Sequence, residues 1–271
     1  MLQRFVTGAC LVVALVALLV LGGWYLAIAA VAAIALTVFE ELRALRAGGH
    51  NPVWWASFAG LAVSAPLVLL FGVSVIIPIL VVLGFAIAFQ VMLRPKPELT
   101  DILISVLPLL TLVLPGMCLF GLLSIQQLET QKMLLSSVFA IAVVCDTFAY
   151  FIGSRVGGPK LCPLISPKKT VAGALGGMLG AVVGGMAVMW AFQLFNPQIQ
   201  FPPWWWHLIL CVVGGAASQM GDLFASLVKR HCGVKDFGNL FPGHGGMLDR
   251  MDSILFASIL VYCYHIFLPF V

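Results

Sequence analysis

The sequence predicts an all-α fold, a polytopic integral membrane helical bundle of about nine transmembrane helices with its N-terminus in the cytoplasm. Three observations predict it. Apolar residues make up 62% of the 271 residues and charged residues only 9%, where a soluble domain carries about 25% charge. Mean hydropathy is +1.12. The apolar residues form continuous runs of roughly 20, the length that crosses a bilayer. Continuous rather than alternating runs exclude a closed β-barrel, because only a helix then satisfies the backbone in lipid. No run of the chain is long enough for a separate soluble domain.

Nine runs stand at about 5–21, 24–39, 53–71, 73–93, 102–124, 133–152, 171–195, 204–224 and 254–270. Gly22-Gly23 and Gly72 fall between runs and predict tight hairpins. Trp204, Trp205 and Trp206 follow Pro202-Pro203, which predicts a helix start anchored at an interface. Ala27-Ile28-Ala29 has the form of a signal-peptide cleavage site. Cleavage is not expected there, because it destroys the second run.

The basic residues orient the bundle. With the N-terminus inside, thirteen of the fourteen fall on the inner side: Arg4; Arg43 and Arg46; Arg94 and Lys96; Arg155, Lys160, Lys168 and Lys169; Lys229, Arg230, Lys235 and Arg250. Only Lys132 falls outside. The positive-inside rule then places the C-terminus outside and two long loops, 153–170 and 225–253, in the cytoplasm. Residues 1–130 read as a scaffold of helices serving lipid entry or dimer contacts. Residues 131–271 read as the catalytic region.

The seven cysteines contain no CxxC pair and lie mostly in apolar runs, so neither a disulfide framework nor a zinc site is expected. Gly176, Gly180 and Gly184 recur at four-residue spacing, which lets helix backbones approach closely. Packing within the chain is the favoured reading over a dimer seam. Glu40 and Glu41, beside Arg43 at the inner end of the second run, read as a solvated interfacial cluster.

The second half carries acids that demand an explanation. Asp146 lies inside the sixth run, where a carboxylate costs about 2.5–3.5 kcal/mol on insertion scales and normally faces a polar cavity. Asp222 lies in the last inner turn of the eighth run. Asp249 and Asp252 open the ninth, three residues apart on one helix face and near a helix N-terminus that favours carboxylates. The topology brings all four to one membrane face. Converging carboxylates repel unless a cation joins them, and a hard divalent ion such as Mg²⁺ takes oxygen ligands.

The inner loops supply the opposite charge. One reads Gly153-Ser154-Arg155-Val156-Gly157-Gly158-Pro159-Lys160, then Ser166-Pro167-Lys168-Lys169-Thr170. The other reads Lys229-Arg230-His231-Cys232-Gly233-Val234-Lys235-Asp236, then Pro242-Gly243-His244-Gly245-Gly246. There is no GxxxxGK[ST] P-loop. Carboxylates, cations and glycines at one face make a phosphoryl-handling site.

The stretch from Ser226 to Ser253, with Lys229-Arg230, Lys235-Asp236, Gly238, Pro242-Gly243-His244-Gly245-Gly246, Asp249-Arg250 and Asp252, resembles the signature of the phosphatidate cytidylyltransferases (CDP-diacylglycerol synthases). Gly221-Asp222-Leu223, Asp146-Thr147-x-Ala149-Tyr150-x2-Gly153 and Ser166-Pro167-Lys168-Lys169-Thr170 resemble it too. After SPKKT the run Val171-Ala172-Gly173 departs from the family, which has Glu or Gln at the position of Ala172. The resemblance implies CTP and phosphatidate as substrates, CDP-diacylglycerol and pyrophosphate as products, Mg²⁺ as cofactor with a second cation left open, and a homodimer. It also implies a bacterial inner membrane, with the site facing the cytoplasm and no nucleic-acid partner.

Asp146, Asp222, Asp249 and Asp252 are then the expected metal ligands. Lys168, Lys169, Lys229 and Arg230 grip triphosphate or lipid phosphate. Lys235, Asp236 and Arg250 order the site, and His244 hydrogen-bonds a phosphate or serves the loop. Ser166, Thr170, Ser226, Gly245 and Gly246 line the substrates. A CTP-using lipid-alcohol kinase, a cation-coupled transporter and a non-catalytic scaffold share parts of this pattern.

Overall fold

The computed structural model describes residues 8, 13, 14, 16–18, 21–196 and 201–268. Among these, eight helices are long and apolar enough to cross a membrane. They coincide with eight of the nine runs. The first run, 5–21, lies with Arg4 and Cys10 mostly outside the described residues.

In order the elements are α1 (Gly23–Ala47), α2 (Trp54–Phe71), a 3₁₀ turn (Val73–Val75) leading into α3 (Ile76–Met92), α4 (Leu99–Pro108), a π-helical turn (Leu109–Val113), α5 (Leu114–Leu123), α6 (Leu128–Val156), β1 (Lys160–Cys162), β2 (Ser166–Thr170), α7 (Val171–Phe195), α8 (Trp204–His231) and α9 (Leu248–Phe267). Gly72, with φ +78°, ends α2 as the hairpin reading requires. The predicted span 102–124 is one span broken in the middle. Pro108 and Pro115 each lack an N–H for the helical ladder, and the π turn lies between them.

The chain divides into two compact units. The first is Met1–Ser124 with Val228–Met251, so the 228–251 segment groups with the N-terminal helices rather than with the rest of 131–271. Its core holds Ile34, Val38, Leu42, Ile87, Leu109, Val113, Met117 and Leu122. Gly116 lets α5 close on α1, since a Cβ there meets Ile34 at 2.8 Å. Three of the loops predicted to lie inside meet in this unit. The Arg94 guanidinium donates to the Asn51 carbonyl (2.9 Å), His50 and His231 join Nε2 to Nε2 (2.8 Å), and Gly48 abuts Cys232.

The second unit is Ile125–Leu227 with Asp252–Val271. Its tightest seam is α6 on α7. A Cβ on Gly176 meets Ile152 at 2.6 Å, one on Gly180 meets Phe148 at 2.6 Å, and one on Gly184 meets Val144 at 2.9 Å. The glycine stripe is therefore filled from within the chain. The loop expected at 153–170 is largely an antiparallel hairpin, pairing Lys160 with Thr170 and Cys162 with Ser166. Gly157 and Gly158, with φ +66° and +93°, turn the chain out of α6. The Val171 N–H then closes on the Pro159 carbonyl (2.9 Å), so the backbone outside the helices pairs with itself.

Candidate active site

In the second unit the hairpin presents its lysines at the foot of the helices. Thr170 is buried, and its hydroxyl oxygen accepts the Gly173 N–H (3.0 Å) as the N-cap of α7. This fixes β2 against the helix start. Lys168 is exposed, whereas Lys169 turns to Asp222 of α8, Nζ to Oδ2 at 2.6 Å. Ser166 and Ser226 are half-buried.

Gly221, just before Asp222, has no room for a Cβ, because the carbonyl oxygen of Asp252 and the Phe256 ring occupy that space. The close crossing brings the turn carrying Asp222 against the turn carrying Asp252. Asp252 is 8% exposed and accepts the Ser253 N–H. Gln219, one helical turn before Asp222, donates to the Ala174 carbonyl (3.0 Å) and to Cys145 Sγ (3.5 Å). It ties α8 to α6 beside Asp146, which is exposed on α6.

In the first unit Asp249 organises the glycine-rich loop. Its Oδ1 receives Lys229 Nζ (2.7 Å), and its Oδ2 accepts the N–H groups of Phe237 and Gly246 (2.9 Å each). Its side chain is 4% exposed and that of Lys229 16%. Gly245, at φ +83°, has Asp249 where a Cβ would stand. The loop doubles back on itself, with the Phe241 N–H on the Gly245 carbonyl (2.9 Å) and the His244 N–H on the Phe241 carbonyl (2.8 Å). His244 is half-buried in this turn. Lys235, Asp236, Arg230 and Arg250 are exposed. The last turn of α8 adds a buried thiol, Cys232, whose pKa burial pushes up, with the nearby Glu41 acting in the same direction.

The reading of Glu40 and Glu41 as a solvated cluster is corrected by the structure. They are 6% and 2% exposed. Thr111 of the π turn donates to Glu41 Oε2 (3.4 Å). Glu40 accepts the N–H groups of Met247 (3.0 Å) and Leu248 (2.8 Å), whose donors lie 207 and 208 residues along the chain. No local pattern signals a partner that distant.

Four backbone N–H groups of the 237–248 segment are thus held by carboxyl oxygens of the protein itself. Among the described residues no three His, Cys, Asp or Glu side chains group as a metal centre. The acids form two ammonium–carboxylate pairs, Lys169–Asp222 and Lys229–Asp249, each within its own unit. An all-oxygen donor set with ammonium groups against it suits a hard divalent cation.

A helical membrane protein with paired cations and carboxylates beside a glycine-rich loop is of the class that handles phosphoryl groups in a bilayer. Residues 2–268 match the cytidylyltransferase family, and the chain belongs to it. It is 43% identical over 127 residues to a phosphatidate cytidylyltransferase of Brucella abortus, covering 47% of this chain and 44% of that protein. It is 40% identical over 151 residues to the Bacillus subtilis protein of that name, covering 54% and 53%. With the Synechocystis protein of that name it shares 31% identity over 299 residues, covering 98% and 97%. The matched stretches thus span about half of the first two relatives and nearly all of the third.

Proposed function

We propose that the protein transfers the cytidylyl group of CTP to phosphatidate, giving CDP-diacylglycerol and pyrophosphate. The observation that carries this reading is the pairing of Lys229 with Asp249 at 2.7 Å on the fold of the glycine-rich loop. The printed name of three relatives and the family match support the choice of substrates.

The phosphatidate phosphate is already an anion, so no strong general base is required. It attacks the α-phosphorus of CTP, and pyrophosphate leaves in line. The residues act by alignment and by neutralising charge. Lys169 and Lys229 exchange their carboxylates for phosphate oxygens, and Lys168, Arg230 and Arg250 are exposed to do the same. Asp249 keeps Oδ2 on the loop and releases Oδ1. Asp222 and Asp252, brought together at the Gly221 crossing, and Asp146 and Asp249 are the residues that would hold Mg²⁺. When bound, the ion neutralises the triphosphate.

The split of basic residues supports a site on the cytoplasmic side of a bacterial inner membrane. A homodimer, if it forms as the family resemblance implies, uses a face other than the α7 glycines, which α6 already fills. The test is purified protein in detergent with Mg²⁺, phosphatidate and each of the four nucleoside triphosphates. Pyrophosphate release with CTP alone supports the reading. Release without phosphatidate, or no release with CTP, overturns it.

A further inference from the structure

Glu40 plays no part in the chemistry just described, yet it is held by more than its own helix. It lies near the end of α1 and takes the N–H groups of the residue before α9 and of the first residue in it, Met247 and Leu248. First-turn N–H groups have no partner inside a helix and favour an anion. Met247 offers no capping side chain of its own. A carboxyl group from a distant helix does the capping instead.

The glycines of the loop are shaped to admit it. A Cβ on Gly238 or on Gly246 runs into the Glu40 carboxyl group. These two glycines therefore form the socket of Glu40, and the N–H groups that might have cradled a phosphate there are already occupied. Asp249 and Arg250 follow within two residues of the clamp. All of these groups lie in one unit.

The geometry points to Glu40 as a positioning residue. By holding the N–H groups of Met247 and Leu248 it fixes where α9 begins, and so where Asp249 and Arg250 stand for the nucleotide. This rests on the cytidylyl-transfer reading above. Displacing a reacting or gripping group by about 1 Å costs on the order of 100-fold in rate.

Glu40→Gln replaces one acceptor oxygen by an amide that faces an N–H. In the full-length protein in detergent, KM for CTP is expected to rise about 5-fold or more, while KM for phosphatidate moves less than about 2-fold. A merely structural loss lowers the active fraction, hence kcat, and leaves both KM values alone. Hydrogen exchange at the amides of 247 and 248, which needs no turnover, is expected to be about 10-fold faster in the variant.

Unchanged exchange overturns the inference, as does faster exchange with both KM values unmoved. Where Glu40→Gln does not fold, Gly238→Ala, which drives a methyl at the same carboxyl group, must reproduce the KM pattern. If the wild type makes no CDP-diacylglycerol while the exchange difference holds, the transfer reading has failed and the clamp has not.

Discussion

Asp249→Asn removes one charge and keeps the side chain's shape. Asp249 makes three hydrogen bonds in the structure, one to an ammonium and two to backbone N–H groups. A hydrogen bond to a charged group is worth about 1.5–3 kcal/mol, and a buried donor left unpaired adds to the loss. At 4% and 16% exposure the Asp249–Lys229 pair is too sheltered for water to replace it fully. Losing the bond to Lys229 and one of the N–H bonds costs about 3 kcal/mol, roughly 100-fold in the population of the ordered loop.

The assay is the initial rate of pyrophosphate release at saturating phosphatidate, with folded protein confirmed by gel filtration in detergent. Asp249→Asn is expected to lower kcat/KM for CTP about 100-fold or more, and Lys229→Met by a similar factor. Because the two act through one contact, the double variant should be no slower than the worse single one. An Asp249→Asn enzyme with a third or more of wild-type activity refutes the assignment. So does a double variant whose loss is the product of the two single losses.

Further outcomes follow from the same geometry. Asp222→Asn should abolish turnover with little effect on thermal stability, because the Lys169–Asp222 pair is about one-third exposed and such pairs contribute about 0–1 kcal/mol; a drop in Tm comparable to that of a core variant contradicts this. Gly180→Leu should destabilise the protein by about 1–3 kcal/mol or prevent its assembly, since it forces a side chain into Phe148; normal melting contradicts the α6–α7 seam. Chelating divalent cations should stop the reaction and Mg²⁺ should restore it, whereas activity that survives chelation removes the metal from the proposal. The raised pKa of Cys232 keeps the thiol protonated at neutral pH, so alkylation by N-ethylmaleimide should be slow there and still climb above pH 9. A rate that levels off below that pH contradicts its burial beside Glu41.

The spans were legible because lipid imposes a length and a composition on every helix that crosses it. The run 171–195 matches α7 at both ends. Where polar residues extend a helix past the apolar run the sequence falls short, as in α8, which continues through Lys229 and Arg230 to His231. The hairpin over 160–170 was hidden because its pairing joins Lys160 to Thr170 through backbone groups, with no alternation of apolar side chains to announce it.

The site was legible in part. Asp222 and Asp249 each stand against a lysine that had been assigned to the same chemistry. Thr170, Gly245 and Gly246 were read as substrate contacts from their residue types, and in the structure they cap a helix or make room for carboxyl groups. Glu40 looked like solvated charge because acids at the end of a span usually are. Only a partner more than two hundred residues away makes it a cap.

The most direct measurement uses CTP labelled with ³²P at one phosphorus at a time, given to the purified protein with Mg²⁺ and phosphatidate. Label from the α position is predicted in the lipid product and label from the γ position in pyrophosphate. A γ label recovered in lipid, with CDP released, contradicts cytidylyl transfer and makes the protein a kinase.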